Sequence, residues 1–267
     1  MVEYIKLSET SALVLRFLQD QVYHSQAVKD YLARLDLSAG KEMQDACDAI
    51  WPHYSEVIIN RKHTILKYIE EALAENPSLQ IISGAAGLDP LGLELTQRHK
   101  GLTVYEIDRE QMPLKAALIS APELCFIPGD LGDTAPLIDR LTKAGWLQDK
   151  PTFLIMEGIG YYLTPVILKN FFTAMSPQYV VFDHLRETGM TQEANEIITR
   201  ILGVIENYIE MDKMIRYDAS SLSALLDMRI AKHASLHAIE YQRTGQNVYF
   251  PSEDFGWLDI TVFEPEH

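Results

Sequence analysis

The chain has 267 residues, of which 47% are hydrophobic and 23% charged, enough apolar material for a large core in an α/β protein. Its formal charge of −15 and pI near 4.9 set it against phosphate backbones, so nucleic acid is not an expected partner. No apolar run reaches the roughly 20 residues of a membrane helix. The start, Met1-Val2-Glu3-Tyr4-Ile5-Lys6, does not read as a signal peptide, and Cys47 and Cys125 have neither metal-ligand nor redox spacing. A cytoplasmic protein with reduced thiols is expected.

The first 75 or so residues contain no convincing strand. Ser8-Glu9-Thr10-Ser11 supplies caps for a helix through Leu13, Val14, Phe17 and Leu18. A second helical pattern covers about 25–35, and a third runs through Ile58, Ile59, Ile65, Leu66, Ile69 and Leu73 until Asn76-Pro77 ends it. From residue 79 short apolar runs alternate with helical stretches: strands are predicted at 79–83, 102–107, 123–127, 152–156 and 178–183, and helices near 91–98, 110–119, 134–144 and 165–175. That alternation predicts βαβ units and a parallel sheet covered on both faces. Helices follow at about 190–211 and 219–230, then strand-like runs at 235–242 and 257–263. One unit over 1–267 is expected, with a helical cap (1–77), a core (78–184) and a helical insertion with the final strands (185–267).

Four stretches carry chemistry. In Ser83-Gly84-Ala85-Ala86-Gly87-Leu88-Asp89, small residues between a strand and a helix let a ligand approach the backbone closely. The pattern is not G-x-G-x-x-G, which counts against a dinucleotide pyrophosphate. Asp108 ends the second strand, 21 residues beyond Gly87, where an acid accepts hydrogen bonds from ribose hydroxyls. The alternative is a helix-capping Asp108. Asp130 and Leu131, after the third strand, are placed to bind an adenine amino group and ring face, or else to form a solvated turn. An apolar strand delivers Glu157 to its C-terminal end, where something cationic or donating should face it, followed by Tyr161, Tyr162 and Thr164-Pro165. His184, at the end of the fifth strand, is a candidate base with Arg186 assisting, or a histidine that bonds a loop. His233 and His237 stand at i, i+4 but lack a third ligand, so no metal is expected.

These stretches, in this order, resemble the leucine carboxyl methyltransferase family. The similarity runs from about Arg61 to Asp183 and is most specific at Gly87-Leu88-Asp89, Tyr105-Glu106-Ile107-Asp108 and Met156-Glu157-Gly158 with Tyr162-Leu163-Thr164-Pro165. The resemblance implies a Rossmann-like methyltransferase fold, with a mostly parallel seven-stranded sheet, a helical N-terminal cap and a helical insertion. It implies S-adenosylmethionine as cofactor and an oxygen, first of all a carboxylate of a small molecule or peptide C-terminus, as methyl acceptor. Matched residue by residue, Arg61 would clamp the methionine carboxylate, Gly84, Ala85 and Gly87 would lie against the methionine portion, and Glu157 would face its amino end. Asp108 would hold the ribose, and Asp130 and Leu131 would contact adenine. Tyr162 and His184 are the candidate catalytic residues, Tyr161 and Arg186 the candidate acceptor contacts.

The chain departs from the family where Ala85 replaces the first glycine of a Gly-Ala-Gly turn, where Gly132 follows Asp130-Leu131 in place of a frequent arginine, and where Leu15, beside Arg16, stands at an N-terminal lysine. A carboxylate, with a reference pKa of about 4, is ionised at neutral pH and needs no base, whereas a phenol or alcohol does. Methylation of such a hydroxyl is an alternative, as are an NAD(P)-linked oxidoreductase and a non-catalytic relative.

Overall fold

The structure is a computed structural model that describes residues 5–209 and 213–266. A helical layer comes first. Strand β1 (Ile5–Lys6) leads to α1 (Glu9–Leu18), whose cap is the Ser8 hydroxyl accepting from the Ser11 amide, and then to α2 (Gln26–Leu32), capped in the same way by Ser25. Strand β2 (Leu35–Asp36) pairs in parallel with β1, a two-residue ladder too short to show as a pattern in the sequence. Helix α3 (Gly40–Ile50) was not among the expected elements, since only Gly40, Met43 and Cys47 are buried along it. Helix α4 (Tyr54–Glu75) is the longest of the layer and stops before Pro77.

The alternating region folds as β3 (Gln80–Ser83), α5 (Leu91–Arg98), β4 (Val104–Asp108), α6 (Met112–Leu118), β5 (Leu124–Pro128), α7 (Thr134–Lys143), β6 (Thr152–Met156), α8 (Pro165–Met175) and β7 (Tyr179–Leu185). Every residue of β3 and β6 is buried, as parallel strands covered on both faces require. Helix α9 (Gln192–Ile209) ends the described part of the predicted 190–211 helix; residues 210 and 211 lie outside the described residues.

The tail departs from expectation. Helix α10 (Ala219–Leu226) stops at Asp227, in the left-handed region, and Met228–Ser235 is strand β8 rather than the end of a helix. The predicted strand at 235–242 is helix α11 (Leu236–Thr244), with the Ser235 hydroxyl accepting from the Ala238 amide and Leu236, Ile239 and Glu240 buried at i, i+3, i+4. Strand β9 (Leu258–Pro265) closes the chain. The misreading has a physical cause: β8 is an exposed edge strand carrying Arg229, Lys232 and His233, with a bulge between Ile230 and Lys232, so it lacks an apolar alternation.

The seven-stranded sheet has the order β5-β4-β3-β6-β7-β9-β8. All neighbours are parallel except β9, which runs antiparallel to β7 and β8. The order reverses between β3 and β6, the switch point where open α/β sheets bind ligands. Among the described residues no helix is long and apolar enough to cross a membrane.

Candidate active site

A cavity of about 210 Å³ opens at that switch point, beyond the C-terminal ends of β3 and β6 and beneath α1, α3 and α4. Its floor is the turn after β3. The Gly84 amide donates to the Ile155 carbonyl (2.9 Å) and the Ala86 amide to the Ile107 carbonyl (2.8 Å), so the turn is fastened to both neighbouring strands. Ala85 sits at φ +53° and Gly87 at φ +52°, left-handed conformations that are costly for alanine and free for glycine. Ala85, Ala86 and Gly87 line the cavity, whereas Gly84 lies one layer behind, where a Cβ would stand 2.8 Å from the Met156 sulfur.

The walls are charged. Helix α4 turns Arg61 and Lys62, consecutive residues, into the interior, where Arg61 is 5% and Lys62 1% exposed. Arg61 donates from Nε to Glu157 Oε1 (3.1 Å) and from Nη1 to Asp183 Oδ2 (3.3 Å) and the Tyr161 hydroxyl (3.4 Å). Lys62 donates to Asp89 Oδ2 (2.9 Å) and to Glu157 Oε2. Both Glu157 oxygens therefore carry a cation, as a buried carboxylate requires. Asp89 accepts further from the Tyr23 hydroxyl (2.5 Å) and from the Leu91 amide (2.8 Å) at the head of α5, and the Gly158 amide donates to Asp183 (2.6 Å). Gly158 has φ +69°, and a Cβ there would lie 3.8 Å from Arg61 Nη2, so glycine leaves that nitrogen uncovered.

Burial works against the charges of Arg61 and Lys62. Asp183 and Glu157 outweigh it for the guanidinium, Asp89 and Glu157 for the ammonium, and both basic groups end above their ordinary values. Burial likewise works against ionised Asp89, but Lys62 and the Tyr23 hydroxyl hold its carboxyl below the usual range. For Asp183 burial wins over Arg61 and the carboxyl is pushed up.

A second ion pair braces the turn from behind. Glu106 and Lys115 are fully buried and 2.6 Å apart; Glu106 accepts from the Gly92 amide and Lys115 donates to the Asp89 carbonyl. Lys62, Glu106 and Lys115 were not singled out in the sequence, although Glu106 stands inside a quoted motif and Lys62 directly follows Arg61. The signal they left was a charge on the apolar face of a helix or within an apolar strand.

The remaining predicted residues divide. Tyr161 and Tyr162, in a single 3₁₀ turn (Gly160–Tyr162), both line the cavity with their rings 4.8 Å apart, and burial pushes both phenols up, Tyr162 to about 12. Leu15 lines it too, while Arg16 turns away and donates to Gln44 (2.9 Å). Asp108 does not reach the lining: Oδ1 accepts from the Glu110 and Gln111 amides (2.9 Å each) and Oδ2 from the Gly87 amide (3.1 Å), the capping arrangement. Asp130 accepts from the Gly132 amide (2.8 Å), and Leu131 packs into the core beneath.

His184 and Arg186 are not brought to the cavity. His184 is buried with Nδ1 2.7 Å from the Tyr217 carbonyl and Nε2 3.0 Å from the Thr261 hydroxyl, so neither nitrogen is left for an acceptor. Arg186 grips Asp259 through Nε (2.8 Å to each oxygen) and donates to the Glu253 carbonyl. His184, His233 and Asp259 offer ligand atoms within 4.8 Å of one another, but the Arg186 guanidinium, 2.7 Å from Asp259, already supplies the positive charge there. His233 and His237 part company on β8 and α11, and His237 bonds the Phe250 carbonyl (2.7 Å).

The strand order, the turn at the switch point and the charged cavity above it define a Rossmann-like, S-adenosylmethionine-dependent methyltransferase. The chain belongs to the leucine carboxyl methyltransferase family, whose model matches residues 13–176, more than half of its length. Solved structures share the fold: a DUF574 family protein from Streptomyces avermitilis at 14% identity (TM-score 0.67, 92% of this chain and 99% of that one) is one. A candidate methyltransferase from Thermobifida fusca at 13% identity (TM-score 0.69, 91% and 94%) is another. Magnesium protoporphyrin IX methyltransferase from Synechocystis, solved with bound SAH, aligns more loosely at 10% identity (TM-score 0.50, 79% and 86%). No curated protein matches by sequence.

Proposed function

We infer that the protein methylates a carboxylate oxygen of a small acceptor. The observation that carries this reading is the lack of a free base among the described residues of the cavity wall. Asp89 and Glu157 are locked to Lys62 and Arg61, the tyrosines stay protonated, and His184 lies elsewhere. A carboxylate nucleophile is ionised at neutral pH and requires none.

The charge of the site supports the cofactor. Arg61 and Lys62 meet Asp89, Glu157 and Asp183, which leaves one negative charge when all five are ionised, against one net positive charge on a ligand bearing a sulfonium, an ammonium and a carboxylate. Arg61 Nη2 would take the methionine carboxylate, a task suited to a planar donor. Asp89 and Glu157 would face the ammonium, and the backbone of Ala85 and Gly87 would lie along the methionine chain. Asp108 retains one lone pair on Oδ2 for a ribose hydroxyl, with Asp130 and Leu131 beside adenine. When bound, S-adenosylmethionine supplies a methyl electrophile: an oxygen–carbon bond forms as the carbon–sulfur bond breaks, its electron pair passing to sulfur. The chain's own part is to align the acceptor and exclude water, with Tyr161 and Tyr162 at the acceptor side.

The test uses methyl-tritiated S-adenosylmethionine and a panel of carboxylic acids, phenols and alcohols. Methyl esters release volatile methanol in alkali; aryl and alkyl ethers do not. The reading expects alkali-labile label on acids, and label found only in alkali-stable products would overturn it.

A further inference from the structure

A second, apolar chamber of about 40 Å³ adjoins the cavity. The two share Tyr54, Ile58, Arg61, Tyr161, Tyr162 and Ile205, so the tyrosines and Arg61 stand at their junction. Past that junction the walls hold no charge: Leu185 from β7, Ile198 and Leu202 from α9, Met214, Trp257 and Leu258, every one of them buried. All six lie beyond residue 176, where the family match ends. Val57, inside the matched stretch, completes the lining, so the segment after residue 176 supplies most of the walls that the chamber does not share with the cavity.

It is also fastened to the tyrosine turn. The Ile215 amide donates to the Tyr161 carbonyl (2.9 Å), the Tyr217 amide to the Leu185 carbonyl (2.8 Å) and the Tyr217 hydroxyl to the Leu163 carbonyl (3.1 Å). Among the described residues, the hydroxyls of Tyr54 and Tyr162 hydrogen-bond to no protein group, which leaves two donors at the mouth of an apolar hollow. A donor-lined mouth and an apolar interior suit a molecule with one anionic end and one apolar end.

Size narrows the class. A cavity of about 150 Å³ lined by apolar side chains holds benzene, whereas one water needs about 10–15 Å³. At about 40 Å³ the chamber admits a short run of carbons and no ring. We propose that this chamber is the acceptor's specificity pocket, seating the aliphatic tail of a small monocarboxylic acid whose carboxylate lies at the tyrosine mouth, with Leu202 setting the permitted length and bulk. The proposal rests on the carboxyl reading above.

Pentanoate, phenylacetate and glutarate serve as probes, with S-adenosylhomocysteine binding measured by calorimetry on the wild type, Leu202→Ala and Leu202→Phe. A methylene of fit is worth about 10–200-fold in discrimination. Wild type is expected to favour pentanoate over phenylacetate by at least about tenfold and to leave glutarate, with its second charge, unmethylated. Leu202→Ala should raise kcat/KM for phenylacetate about tenfold or more, and Leu202→Phe should lower it for pentanoate to a similar degree, both with unchanged S-adenosylhomocysteine affinity. The proposal falls if a protein that binds S-adenosylhomocysteine methylates none of these acids and none of the matching alcohols. It falls also if phenylacetate equals pentanoate, or if the Leu202 variants shift all acceptors alike. Alkali-stable methylation of pentanol over benzyl alcohol, with the same response to Leu202, would instead keep the pocket and remove only the carboxyl reading.

Discussion

Asp183 and His184 are neighbours on β7 and point to opposite faces of the sheet, into two buried polar networks that differ in what they leave unfilled. On one face Asp183 joins Arg61, Glu157, Lys62 and Asp89 around a cavity of about 210 Å³. On the other, His184 is closed in by Tyr217, Thr261, His233 and the Asp259–Arg186 pair, and it lines neither cavity. Both contain titratable groups at the C-terminal end of a strand. The difference lies in the void beside them, and the alternation of side chains along β7 decides which residue meets it. The Asp183 network is an arrangement with room for a ligand; the His184 network holds β7, β8 and β9 together.

The strongest way to break this comparison is Arg61→Ala. Removing the guanidinium leaves Glu157 and Asp183 buried with one cation fewer, at an expected cost of about 3–5 kcal/mol in denaturant unfolding. On the fraction that folds, S-adenosylhomocysteine should bind at least about tenfold more weakly, or about 1.4 kcal/mol. Little loss of either kind would mean that Arg61 is incidental to both fold and site.

Next in size is the Glu106–Lys115 pair, which is buried without touching the cavity. Lys115→Met alone should destabilise by about 3–5 kcal/mol, while Glu106→Leu combined with Lys115→Met should recover most of that, because the double replacement strands no charge. A double variant as unstable as the single would show that the pair holds the turn by something other than charge compensation.

His184→Gln sharpens the contrast in the opposite direction. Methyl transfer should stay within about twofold of wild type, with stability lower by about 1–2 kcal/mol from the disturbed bonds to Tyr217 and Thr261. Burial, opposed in part by Asp259, depresses the His184 pKa below its ordinary 6.5. The unfolded chain therefore binds the proton first, and wild-type stability should fall as pH drops below about 6.5 towards the depressed value. The melting temperature of His184→Gln should decline less over that window. A large loss of turnover would return His184 to the active site.

The smallest effect is expected at Ala85→Gly. The left-handed conformation costs an alanine about 1–2 kcal/mol, offset in part by the greater freedom glycine has when unfolded. A net gain of about 0.5–1 kcal/mol, or about 1–4 °C in melting temperature, is expected. A loss would place the strain elsewhere.

The sequence made the parallel core legible because buried strands and amphipathic helices write their period into residues 79–185. It made Arg61, Glu157, Tyr161 and Tyr162 legible through motif order. Lys62 and Lys115 were hidden, since a single sequence does not tell whether a helical lysine turns inward; the partners of Lys62, Asp89 and Glu157, are 27 and 95 residues away, and Glu106, the partner of Lys115, lies on a neighbouring strand. His184 looked available for the same reason: its partners Tyr217 and Thr261 are 33 and 77 residues away. The exchange of strand and helix across 228–244 arose where tertiary pairing with β9 overrode a weak local pattern.

The account turns on Arg61 holding a carboxylate where the cavity meets the smaller chamber, and the most direct measurement compares S-adenosylhomocysteine with its decarboxylated analogue by calorimetry on wild type and Arg61→Lys. Wild type should lose at least about tenfold in affinity when the carboxylate is missing, and Arg61→Lys should lose much less. Equal binding of the two ligands to the wild type would contradict it.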